Sequence, residues 1–200
     1  MRRFVLASGN TGKLLEINSL LEGKGIEVLP QSDFDVCSVE ETGLTYVENA
    51  ILKAREASRA ARLPAVADDS GLEVDALGGA PGIRSARFAG DGADDSANNQ
   101  VLLERLAHVA DGERTARFRC VMVCLGHPED PAPLICEGVW EGSIARESCG
   151  DGGFGYDPLF VPRGFAVSAA TLPGSEKNRL SHRGKAVRRL VAALLQTTDA

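Results

Sequence analysis

The period of the hydrophobic pattern along this chain switches repeatedly between two and 3.6, as expected where strands alternate with helices. Phe4–Ala7 is a short apolar run that predicts a first strand. After the turn SGNTGK, the spacing of Leu14, Ile17 and Leu21 predicts a helix from about Thr11 to Glu22, with Asn10 placed to cap it. Ile26–Leu29 predicts a second strand. TYVE, Thr45–Glu48, is a capping box, a Thr N-cap with Glu three residues later. The helix behind it runs to about Arg62, with Val47, Ile51 and Ala54 inside and Asn49, Lys53 and Glu56 on a polar stripe.

Pro64 closes that helix, and AVADDSGLEVDAL, Ala65–Leu77, predicts strand, turn and strand. A glycine-rich passage follows at Gly78–Gly92. Val101, Leu102 and Leu106 then mark a helix from about Ser96 to His108. Thr115–Gly126 predicts a long strand, and Pro133–Trp140 returns as its hairpin partner, with Gly142–Arg146 extending that sheet. Cys149–Pro162 is a loop ending in a short strand. A last helix from about Ser181 carries Ala186, Val187, Leu190, Val191 and Leu194 on one stripe. With hairpin-like and crossover-like connections together, the chain is expected to be an α/β protein with a mixed sheet.

Composition narrows the function without choosing one. The 200 residues are 44% hydrophobic and 25% charged, which suits one globular domain, or two lobes sharing a core. With 22 basic and 28 acidic residues the net charge is −6, which disfavours binding along a nucleic-acid backbone but allows a mononucleotide. Met1–Leu6 is too short for the core of a signal peptide, and no segment approaches a membrane span. The five cysteines lack a CxxC pair, and Cys120 and Cys124 read as small buried hydrophobes. A reducing cytoplasm is the expected setting.

Candidate chemistry gathers at a few places. Asp68 and Asp69 fall where an apolar strand meets Ser70-Gly71. They read either as turn aspartates capping their own backbone or as a magnesium ligand or general base. Glu40 or Glu41 could supply a second carboxylate. Lys13 lies in the first turn of a helix, where a cation opposes the macrodipole unless an anion joins it. SGNTGK is not the G-x-x-x-x-G-K-[ST] phosphate loop, because the spacing differs and no hydroxyl follows the lysine. FGYD, Phe154–Asp157, sets two aromatics among glycines, which suits either core packing or a stacked base. His182 and Arg183 stand at a helix start.

Together these segments resemble the inosine triphosphate pyrophosphatase family. Ser8, Asn10, Lys13 and Glu16 match its amino-terminal signature. EETGLTYVENAILKA, ADDSGLEVDALGGAPGIRSARFAG, GGFGYDPLF and EKNRLSHRGKA follow in the order of its bacterial members. The resemblance spans essentially the whole chain. It implies one domain with an elongated mixed β-sheet flanked by helices, in two lobes with a central cleft. It also implies a cytoplasmic homodimer, with no nucleic-acid or membrane partner, and Mg²⁺-dependent cleavage of ITP, dITP or XTP to the monophosphate and pyrophosphate. Carried over by residue, Asp69 is the general base and a metal ligand, and Glu41 is the second ligand. Ser8, Gly9, Asn10, Thr11, Gly12 and Lys13 contact the phosphates, with Lys53 nearby. Ser70, Phe154, Gly155, Tyr156, Asp157, Lys177, His182 and Arg183 surround the nucleoside. A pyrimidine triphosphate pyrophosphatase and a non-catalytic nucleotide-binding protein are the rival readings.

Overall fold

The structure, a computed structural model, describes residues 2–9 and 11–196. Six strands form one mixed sheet: β1 (Arg2–Leu6), β2 (Ile26–Pro30), β3 (Ala65–Val74), β4 (Thr115–Leu125), β5 (Leu134–Ile144) and β6 (Phe160–Pro162). Their spatial order is β2-β1-β3-β4-β5-β6. β1 runs parallel to both β2 and β3, while β5 and β6 are antiparallel. The link from β4 to β5 is too short for a crossover, so these neighbours form the expected hairpin. The helices are α1 (Thr11–Leu21), α2 (Tyr46–Ala61), α3 (Asp95–Arg105), α4 (Gly174–Leu180) and α5 (His182–Gln196). Among the described residues, no helix is long and apolar enough to cross a membrane.

The chain divides into two compact units. The first comprises Met1–Asp69, Cys120–Gly138 and Arg183–Ala200. Its core joins Phe4 and Leu6 of β1, Ile17 and Leu21 of α1, and Cys120, Met122 and Cys124 of β4. The α5 stripe, Ala186, Val187, Leu190, Val191 and Leu194, completes it. The second comprises Ser70–Arg119 and Val139–His182, and its core holds Leu72, Leu102, Leu106, Phe118, Trp140, Tyr156 and Phe160. The five cysteines, all among the described residues, form no disulfide, and Cys120, Cys124 and Cys136 are buried.

The capping box forms as the sequence predicts. Thr45 is extended at φ −134°, and its hydroxyl accepts the Glu48 N–H at 3.3 Å; Glu48 accepts in turn from the Leu44 N–H at 2.9 Å. Two expectations need correction, and one element was not foreseen. The segment Ala65–Leu77 does not turn at Ser70-Gly71, since β3 runs unbroken to Val74. As an inner strand of the sheet, with β4 as its neighbour, β3 follows the ladder rather than the local turn preference. The buried face of α2 is Tyr46, Asn49, Ala50, Ala54 and Ala57, whereas Val47 and Ile51 are half-buried. Asn49 leaves the expected polar stripe for the interior because its amide has polar partners there. Finally, a short α4 precedes α5, in a segment without an apolar stripe to announce it.

Candidate active site

The turn after β1 is tight, with the Ser8 N–H donating to the Leu6 carbonyl at 2.9 Å. It delivers Ser8 and Gly9 to the mouth of a cavity of about 500 Å³ in the first unit. Lys13, Glu41, Lys53, Asp68, Gln31 and Ser38 also line it. Asn10 lies outside the described residues, as does the Glu16 side chain. Thr11 and Gly12 are exposed at the start of α1.

Because β3 is continuous, consecutive side chains leave it on opposite faces. That geometry gives Asp68 and Asp69 different partners. Asp68, 1% exposed, accepts from Lys13 Nζ at 2.9 Å and faces Arg183 Nε at 3.6 Å. Burial alone would push its pKa up, but the charges of Lys13 and Arg183 outweigh that and hold the carboxyl well below the usual range. The lysine that opposes the α1 dipole therefore has its anion within the chain.

Asp69 meets Lys53 Nζ at 3.1 Å and the Asn49 amide at 3.4 Å. The same ammonium lies 2.8 Å from Glu41 Oε1, so Lys53 bridges two carboxylates. Burial pushes the Asp69 carboxyl up despite the neighbouring lysine, toward the range of a working base. Lys53 is held protonated: burial opposes its charge, and Asp69, Glu41 and Asp68 prevail. Asn49, fully buried, also accepts the Gly43 N–H at 2.8 Å, tying the loop that carries Glu41 to the wall that carries Asp69. A Cβ at Gly43 would meet Asn49 Oδ1 at 2.6 Å, so that approach needs glycine.

The charge inventory tests the implied metal. Three cations, Lys13, Lys53 and Arg183, stand against three carboxylates, Glu41, Asp68 and Asp69. A nearly neutral site lacks the positive charge that a triphosphate requires. Glu41 and Asp69 offer hard oxygens that converge on one cationic group. Magnesium is commonly held by one or two carboxylates with water and phosphate oxygens, and this pair fits it. Among the described residues, no three His, Cys, Asp or Glu side chains gather as a larger metal cage.

The other candidate residues lie in the second unit, apart from Arg183. Ser70 is half-buried on β3. Phe154 is 47% exposed, and Lys177 Nζ lies 4.9 Å from its ring centroid. Asp157 accepts from Lys177 at 2.6 Å and from the Phe154 N–H at 2.8 Å. Tyr156 is buried, its hydroxyl donating to the Ser85 carbonyl at 2.8 Å. His182 stacks on Phe118 with ring centroids 4.7 Å apart and planes 11° from parallel. Sequence reasoning missed Asn49 as part of the site; its place four residues before Lys53, on a helix with a small-residue face, is the signal that could have found it.

Residues 4–193 match the Ham1 family. The chain is 58% identical over 192 residues to a dITP/XTP pyrophosphatase of Thioalkalivibrio sulfidiphilus, covering 96% of this chain and 98% of that protein. It is 55% identical over 194 residues to a dITP/XTP pyrophosphatase of Escherichia coli K12, covering 97% and 98%. Among solved structures, a HAM1 protein from Coxiella burnetii superposes with a TM-score of 0.93 at 49% identity, over 98% of this chain and all of that one. The Staphylococcus aureus Ham1 protein does so at 0.87 and 39% identity, again over 98% of this chain and all of its own.

Proposed function

The chain belongs to the Ham1 family, and from that premise we propose that it hydrolyses the non-standard purine nucleoside triphosphates ITP, dITP and XTP. The products are the nucleoside monophosphate and pyrophosphate. The observation that carries this reading is the placing of two adjacent strand carboxylates on separate cations, Asp68 on Lys13 and Asp69 on Lys53. One carboxylate is thereby committed to holding a phosphate-binding lysine in place, and the other is left as a raised base.

In this reading Lys13 and Lys53 bind phosphate oxygens, with the Ser8–Gly9 turn beside them. Asp69 orients a water and takes its proton as the oxygen attacks the α-phosphorus. Pyrophosphate departs in line. Burial helps twice, by raising the basicity of Asp69 and by strengthening each charge interaction in the cavity. Glu41 and Asp69 would hold Mg²⁺, which supplies charge neutralisation to the triphosphate when bound. Asn49 keeps Asp69 and the Glu41 loop in register.

The FGYD segment, Ser70, Lys177, His182 and Arg183 are the proposed nucleoside contacts. A 6-keto purine presents an acceptor where adenine presents a donor. A fixed N–H, such as the Arg183 guanidinium or a backbone amide, pairs with the keto oxygen and is left unpaired by adenine. Sites of this kind discriminate by roughly 10⁴-fold. A homodimer belongs to the same proposal, and sedimentation equilibrium at two concentrations tests it.

Substrate class is tested by pyrophosphate release from ITP, XTP, dUTP and dTTP with Mg²⁺. The expected order puts ITP and XTP far ahead of both pyrimidines. Preference for dUTP or dTTP sinks the purine assignment, and tight ITP binding without turnover sinks the assignment as an enzyme.

A further inference from the structure

One helix grips the Gly155 peptide on both sides. Asp95, at the start of α3, accepts the Gly155 N–H on Oδ2 at 2.6 Å. Asn99, one turn later, donates from Nδ2 to the Gly155 carbonyl at 2.9 Å. Residues four apart share a helix face, so a single rigid element sets both bonds. Gly155 sits at φ +61°, in the left-handed region where a side chain is strained. The chain turns there, so that Phe154 is half exposed while Tyr156 is buried against Ser85.

Packing does not explain the grip. The neighbouring Asn98 uses both ends of its amide to dock the turn before α3, accepting from the Ala89 N–H at 2.8 Å and donating to the Ala86 carbonyl at 3.2 Å. Asn99 is also buried, at 9% exposure, yet its Oδ1 has no hydrogen-bond partner among the described residues. A buried acceptor left unsatisfied is destabilising, and an apolar residue would avoid that loss. What Asn99 provides is the bond to Gly155. The rest of the loop is closed just as tightly. Asp157 holds the Phe154 N–H and Lys177, and a Cβ at Gly153 (φ +79°) would meet Asp157 Oδ2 at 2.2 Å. Asp95, Asn99, Gly153, Phe154 and Gly155 line one cavity of about 590 Å³.

We infer that Asp95 and Asn99 are positioning residues for base recognition: clamping the Gly155 peptide, they fix the plane of the Phe154 ring without touching substrate. A ring held in place before binding loses less freedom when a base stacks on it. This inference rests on the reading of the FGYD segment as a nucleoside contact.

The test measures ITP hydrolysis by Asp95→Ala, Asp95→Asn, Asn99→Asp and Phe154→Ala. Each is paired with inhibition by inorganic tripolyphosphate, which carries the phosphates without a base, and with a thermal melt. Asp95→Ala and the near-isosteric Asn99→Asp, which cannot donate to the Gly155 carbonyl, are expected to raise KM for ITP roughly 10-fold with a smaller change in kcat. The tripolyphosphate inhibition constant should stay within about twofold. Asp95→Asn keeps an oxygen for the Gly155 N–H and should restore KM. If KM is unchanged in Asp95→Ala and Asn99→Asp while Phe154→Ala raises it, the clamp is overturned and the role of the loop stands. If Phe154→Ala also leaves KM unchanged, both fall. A parallel loss of tripolyphosphate inhibition in the clamp variants marks a general defect and overturns the clamp as well.

Discussion

At the scale of single residues, charge and burial decide what each side chain can do. Lys13 serves the fold and the proposed ligand together. Replacing it with Ala removes the nearer cation from fully buried Asp68 and leaves Arg183 at 3.6 Å. We expect KM for ITP to rise by roughly 10- to 100-fold, the worth of a charge-assisted hydrogen bond. A loss of about 1–3 kcal/mol in stability should accompany it, read by urea unfolding. A normal KM in a destabilised variant would assign Lys13 to the fold alone. Nothing in the pattern around Arg114 singles it out, since an arginine beside a strand looks solvated. It is 2% exposed, and its guanidinium donates to the carbonyls of Leu106, Ile144 and Ala145 at 2.7–2.8 Å. It thereby ties the end of α3 to the end of β5. Arg114→Met should cost roughly 3 kcal/mol or more, because three buried carbonyls lose their donor. In a chain of this size that lowers Tm by about 6–12 °C. A melt unchanged from wild type contradicts this account of Arg114.

At the scale of elements, local rules hold where one segment answers to its own sequence, and fail where neighbours set the outcome. The α5 stripe and the α2 cap were legible because a 3.6-residue period and a Thr-x-x-Glu box act within a few residues. The strand through Asp68 and Asp69 was not, because Ser70-Gly71 signals a turn locally while the sheet, in which β4 is the neighbour of β3 beyond the short β1 pairing at Ala65–Val66, holds the chain extended. That difference matters for the chemistry. A turn would let both aspartates face one way, whereas the strand separates them and gives each its own lysine. Asn49 was hidden for a related reason, since hydropathy cannot reveal that a buried amide has partners waiting in another segment. The capping box makes its own prediction. Thr45→Ala removes the acceptor for the Glu48 N–H and should lower stability by about 1 kcal/mol. It should appear as a lower urea midpoint at constant m. An unchanged midpoint would mean that tertiary packing of the Tyr46–Ala57 face alone holds the helix start.

At the scale of the whole molecule, the fold class was readable from alternating periods, and the family from motifs in order along the chain. The match to the Ham1 family over residues 4–193 bears out that resemblance. What the order of motifs could not convey is which groups meet. The pairing of Asp68 with both Lys13 and Arg183 joins residues far apart in the chain, and that of Glu41 with Lys53 joins a loop to the helix after it. The central claim is that Asp69, raised by burial and steadied by Lys53 and Asn49, activates water for attack at the α-phosphorus. The most direct measurement is hydrolysis of ITP with Mg²⁺ in ¹⁸O-labelled water, comparing the wild-type protein with Asp69→Asn. The account predicts inosine monophosphate carrying the label, unlabelled pyrophosphate, and a kcat at least ~10²-fold lower in the variant, the lower end of what a lost general base commonly removes. Label in orthophosphate or pyrophosphate, or a variant as fast as wild type, would contradict it.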